Sequence, residues 1–114
     1  MLPGLLSIWG TGALADKADV LDATIKCDGD TCYISATVKH ADTGWEHYAD
    51  AWRVLTPAGK EIGKRVLYHP HENEQPFTRS VGGVKIPSGI DHVLIEAHDN
   101  VHGWGEKQFK LTLP

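Results

Sequence analysis

The chain has 114 residues, of which 41% are hydrophobic and 23% charged, and a formal net charge of −4. That length supports one hydrophobic core with little room for a second. The lysines and arginines form no stripe and no basic amphipathic segment, which argues against nucleic acid or a membrane-surface helix as the natural partner.

The first fifteen residues, MLPGLLSIWGTGALA, carry no charged side chain, and DKAD then begins abruptly. Leu2 to Leu14 has the length of a signal-peptide apolar region, and Ala13-Leu14-Ala15 has the small-x-small pattern of a cleavage site. The segment is too short and glycine-rich for a transmembrane helix, and no Lys or Arg precedes it. Residues 1–15 are therefore expected to be a signal peptide or an apolar N-terminal tail, and residues 16–114 a single domain, periplasmic or secreted. Cysteine usage agrees. Cys27 and Cys32 flank an Asp-Gly turn in CDGDTC, where facing hairpin strands would bring them within reach of a disulfide.

After Ala15 no segment sustains a helical period; short alternating runs recur, separated by turn residues. The expected strands are 20–27, 32–40, 48–56, 61–69, 77–86, 91–99 and 108–113. Ile34, Ala36 and Val38 alternate on one face of the second, and Val93, Ile95 and Ala97 on one face of the sixth. Gly82-Gly83 marks a bulge in the fifth. Seven short strands joined by hairpin turns indicate an all-β, seven-stranded antiparallel sandwich. The central Trp52 and the strand spacing resemble an immunoglobulin or fibronectin-III type domain, although no cysteines stand where an antibody bridge would need them.

In such a sandwich successive connections alternate between the two ends. Connections 40–47, 69–77 and 99–105 then share one pole and, with His98 adjacent, gather six of the seven histidines there; His92 lies elsewhere. His40 and Asp99 continue the inward faces of their strands, and Asp50 shares the face of Trp52. A carboxylate at the mouth of an apolar core must be solvated, paired or metal-bound, and Arg79 is the expected structural partner of Asp50 and Asp99. The His69-Pro70-His71 pair could aim two imidazoles to one side. Imidazole with carboxylate suits zinc, cupric, nickel or ferrous ions. The expected ligands of one divalent metal are His69 and His71, then His102 and His40, with Glu72, Glu74 and Asp99 as carboxylates. Trp45, Tyr48 and Trp104 either cap the core or offer a contact surface for a protein.

Two resemblances follow from these residues. His69-Pro70-His71-Glu72-Asn73-Glu74-Gln75 resembles the His-Pro-Met-x-x-Glu-His segment of superoxide reductases (desulfoferrodoxin-like proteins), and Asp99-Asn100-Val101-His102-Gly103 is similar to their Cys-Asn-x-His-Gly segment. The resemblance implies a sandwich holding ferrous iron, with His69 and His102 as ligands and Glu74 at a motif carboxylate. Gln75 stands where a ligand histidine belongs, and Asp99 where the thiolate belongs. Across the rest of the chain, GWEHYADAWRV, RVLYHPHENEQPFTRS and VHGWGE resemble an uncharacterised family of small secreted bacterial proteins. The reading is an exported binding domain without catalysis. A protein-interaction module at the same pole and a superoxide-reductase-like iron protein are its alternatives.

Overall fold

A computed structural model describes residues 17–114; the expected signal peptide or tail lies outside the described residues. The chain is all-β among those residues, with strands β1 Asp19–Asp28, β2 Thr31–Lys39, β3 Ala49–Leu55, β4 Glu61–Val66, β5 Phe77–Lys85, β6 His92–Asp99, β7 Gly103–Trp104 and β8 Phe109–Thr112. One sheet has the order β1-β2-β5, the other β4-β3-β6, with β7 and β8 both pairing β6. Every pairing is antiparallel.

The inward faces are those given by alternation. Ile34, Ala36 and Val38 of β2 are buried, as are Trp52 and Val54 of β3 and Val93, Ile95 and Ala97 of β6, with Phe77 and Val84 of β5 closing the core. Burial of this kind, roughly 25 cal/mol per Å² of apolar surface, is what holds two sheets face to face. On the outer face of β2, Ser35 meets Ser80 (Oγ–Oγ 2.6 Å) and Thr37 meets Thr78 (2.8 Å), cross-strand hydroxyl pairs that fix the β2–β5 register. The extra residue at Gly82-Gly83 leaves Cys32 opposite Val84 and Ile34 opposite Val81. Cys27 and Cys32 face each other across the β1–β2 hairpin and are joined in a disulfide.

Three expectations need correction. The strands number eight rather than seven, because the 99–105 connection folds back and pairs Gly103 with Asp99 and Trp104 with His98. A two-residue ladder has no period to read. β4 ends at Val66, not His69, because Leu67 turns into the core and its N–H bonds Asp50 O at 2.9 Å. Asp50 does not share the face of Trp52. The β3–β6 register slips between Ala49 and Ala51, and this bulge turns Asp50 to the outer face, where its Oδ1 meets His98 Nδ1 at 2.5 Å.

The chain enters β1 beneath the β7–β8 connection, where a Cβ on Gly105 would lie 2.5 Å from the Ala18 carbonyl oxygen. The Gly105 backbone cannot move freely, since its N–H also bonds Ala97 O at 2.8 Å. Gly105→Ala is therefore expected to destabilise the domain by about 1–3 kcal/mol, the usual cost of overpacking, measured by urea denaturation.

Candidate metal centre

Connections 40–47, 69–77 and 99–105 come together at one end of the sandwich, and their polar side chains form a connected cluster. His40 follows β2 and Asp99 ends β6; both point inward and are buried, at 2% and 0% exposure. His40 Nδ1 lies 2.6 Å from Asp42 Oδ1. Asp42 Oδ1 also accepts the Ala49 N–H at 3.0 Å, and Oδ2 accepts the His71 N–H at 2.6 Å. Asp42 thus holds the His40 ring by its Nδ1 edge, which turns the opposite Nε2 edge towards the pole.

There it meets His47. The chain returns through Gly44, whose φ of 119° is one that L side chains rarely adopt, and Thr43 N–H bonds His47 O at 3.0 Å. Asn100 stitches this loop to the next: its Oδ1 accepts Tyr48 N–H and its Nδ2 donates to Trp45 O, both at 2.9 Å. The result places His47 Nε2 3.2 Å from His40 Nε2 and 3.5 Å from Asp99 Oδ1, with Asp99 Oδ2 3.8 Å from His40 Nε2. One ligand atom from each of His40, His47 and Asp99 lies within 4.8 Å of the others. Two nitrogens bound at 2.0–2.1 Å to a tetrahedral ion would be about 3.3 Å apart, close to the separation of the two Nε2 atoms. The group is able to hold a metal ion, and the carboxylate behind His40 is the outer-shell partner that metal-bound imidazoles usually have.

Asp99 is itself firmly fixed. Its Oδ1 accepts the N–H groups of Val101 (2.9 Å) and His102 (2.6 Å). Burial draws its carboxyl upward, but those two N–H bonds and positive charge on His102 and His40 outweigh it and hold the group below its ordinary value.

The other expected residues are distributed around this group. His102 Nδ1 faces the Asp99 carboxylate at 3.2 and 3.3 Å, and its ring lies 5.0 Å from that of His47. His71 stacks on Phe77 at 3.9 Å, with Nδ1 3.8 Å from Asp42 Oδ2. Leaving β4, the chain turns His69 the other way, against Trp45 (ring centroids 5.9 Å). His69 and His71 are thus not brought into the metal-holding group. Arg79 pairs with Glu74 (Nη2–Oε1 3.0 Å) rather than with Asp50 or Asp99, which are held by His98 and by backbone N–H groups. Glu72 lines a shallow pocket with His40 and Asp42. Trp45 is 61% exposed and in edge contact with Tyr48, and Trp104 lies under the Arg53 guanidinium on the outer face of its sheet, so neither caps the core. His47 and Asp42 stand outside the ligand set expected from sequence. Their one sequence signal is the spacing in HADTGWEH, which puts a carboxylate two residues after an inward-facing histidine.

The chain is 40% identical over 90 residues to a protein of Halomicrobium mukohataei named "Putative lipoprotein", an alignment covering 78% of this chain and 44% of that protein. The chain thus spans less than half the length of this relative. No family model and no solved structure matches the chain. No helix among the described residues is long and apolar enough to cross a membrane.

The cluster makes stability depend on pH with a definite sign. Burial, reinforced by the Arg79 charge, pushes the His71 imidazole below its ordinary 6.5. Its neutral form is favoured on folding, so its contribution is complete above 6.5 and declines as pH falls towards the folded value. The Asp99 contribution is complete above 3.8 and is lost only at lower pH. Urea midpoints are expected to fall in two stages on acidification, and His71→Phe, which keeps the stack on Phe77, should remove the upper stage alone.

Proposed function

We propose that this is the binding domain of an exported protein that carries one divalent transition metal between His40, His47 and Asp99. The observation that carries the reading is the convergence of two imidazole Nε2 atoms from the two ends of the 40–47 connection with a buried carboxylate at the end of β6. Asp42 would hold the His40 ring from behind, and His102 would stand at the open side, as partner of Asp99 or as a further ligand after rotation. Two imidazoles and a carboxylate suit zinc, cupric or ferrous ions, and no soft sulfur donor is at hand among the described residues, whose two cysteines are in the disulfide. Export is supported by the name of the Halomicrobium relative, by the disulfide and by the apolar first fifteen residues, read as a leader preceding a single domain from residue 16. The sheets, β1-β2-β5 against β4-β3-β6-β8, are read as an immunoglobulin or fibronectin-III-like arrangement. The role assigned is binding rather than catalysis.

Calorimetric titration of metal-depleted protein with zinc, cupric and ferrous ions tests this. One equivalent should bind. His47→Ala or Asp99→Asn should weaken uptake by about a hundredfold or more, and Asp42→Asn by about 10–100-fold, as loss of a ligand or of its outer-shell partner does. His69→Ala should stay within about threefold of the parent. Equal losses for His69→Ala and His47→Ala would move the site to the 69–77 loop.

An iron protein of the superoxide-reductase plan is favoured by one specific feature. Asp99 and His102, from the segment similar to that family's Cys-Asn-x-His-Gly, lie together beside the imidazole of His47. With a carboxylate in place of the thiolate, the iron would lack the ligand that tunes that chemistry. Rapid superoxide reduction by the ferrous-loaded protein would promote this reading. The interaction-module alternative rests on exposed Trp45 and its edge contacts with Tyr48 and His69. It becomes the preferred reading if no metal binds.

A further inference from the structure

β4 and β5 are edge strands of opposite sheets, and at the seam between them, under residues 67–71, a cleft of about 430 Å³ opens. Arg65, Arg79, His69 and His71 line it, and no acidic residue does among the described residues. In a chain of net charge −4, two guanidinium groups facing one cleft make a local inversion of the overall field, with two imidazoles beside them. Arg65 is the most telling of them. Its Nε donates to Val66 O at 3.3 Å and its Nη1 to Ser80 O at 2.5 Å, and it has no carboxylate partner among the described residues. Carbonyl contacts orient a guanidinium without neutralising it. Arg79 is held by Glu74, but that carboxylate is 56% exposed, and such a surface pair yields readily to a competing anion. The remaining wall is Leu67, Tyr68 and Pro70, an apolar and aromatic surface with Tyr68 70% exposed.

We infer that this cleft is a binding site for a small organic oxyanion, its phosphate or carboxylate head between Arg65 and Arg79 and its apolar body against Tyr68 and Pro70. The planar, pre-oriented Arg65 fork supplies paired N–H donors for such a head group, and a second guanidinium across the cleft adds charge from the other side. The site does not depend on the metal-binding reading. It shares no lining residue with the group formed by His40, His47 and Asp99.

The test uses metal-depleted protein at low ionic strength, titrated with phenyl phosphate, inorganic phosphate and benzoate while backbone amides are followed by NMR. Saturable shifts confined to residues 65–71 and 78–80 are expected, with phenyl phosphate tighter than inorganic phosphate because of the apolar wall. Of phenyl phosphate and benzoate, the tighter identifies the head group. Arg65→Gln should weaken binding by about tenfold or more, with Arg65→Lys between it and the parent, as loss of the paired donors and then of the charge requires. Circular dichroism checks that each variant keeps its fold. His47→Ala should bind these anions like the parent, so failure of the metal site leaves this result untouched. Shifts that do not saturate, that chloride at equal ionic strength reproduces, or that survive in a folded Arg65→Gln protein would overturn the assignment.

Discussion

The buried carboxylate of Asp42 is the joint on which the histidine end of the molecule turns. It takes a proton donor from each of three segments: the ring of His40, the backbone at the start of β3, and the backbone of His71. A carboxylate with no exposed side-chain surface is tolerated only when its lone pairs are occupied in this way. One carboxylate thereby fixes the orientation of an imidazole ring, the departure of β3 and the position of the 69–77 connection. Removing it would leave two backbone N–H groups and a ring nitrogen without their acceptor, so the neighbourhood should fail as a unit rather than residue by residue.

Much of this was legible before any coordinates, because strand parity is a strict rule. A residue two places beyond Val38 must point where Val38 points, and one two places beyond Ala97 must point with Ala97; His40 and Asp99 are accordingly buried. The alternation of connections between two ends likewise brings the three loops together. What parity could not give is the course of chain that has no period. His47 is aimed by Gly44 and by the bonds of Asn100 across two loops, and neither leaves a trace in spacing. The same limit explains Asp50, which a one-residue bulge sends to the opposite face, and His69 with His71, whose i, i+2 spacing would align them only if β4 continued past Val66.

The motif that looked most like a ligand pair, His-Pro-His, is thus split between two environments. His71 packs against Phe77 and takes its N–H to Asp42, while His69 joins an exposed aromatic edge with Trp45. Two of the three residues that do converge stand at the ends of a loop whose sequence, HADTGWEH, reads as an ordinary polar connection, and the third is Asp99 at the end of β6. Histidine density along a chain is a weaker guide than the direction in which each side chain is compelled to point.

The close approach of Ala18 to Gly105 has a consequence for how the molecule is presented. Because Asp19 pairs with Lys39, the polypeptide reaches β1 at the end where His40 lies, and the hairpin carrying Cys27 and Cys32 is at the far end. The described chain consequently enters the sandwich on the side of the imidazoles. The bridged hairpin tip is the part of the sandwich furthest from that entry, so the disulfide braces the end of the fold that the imidazoles do not.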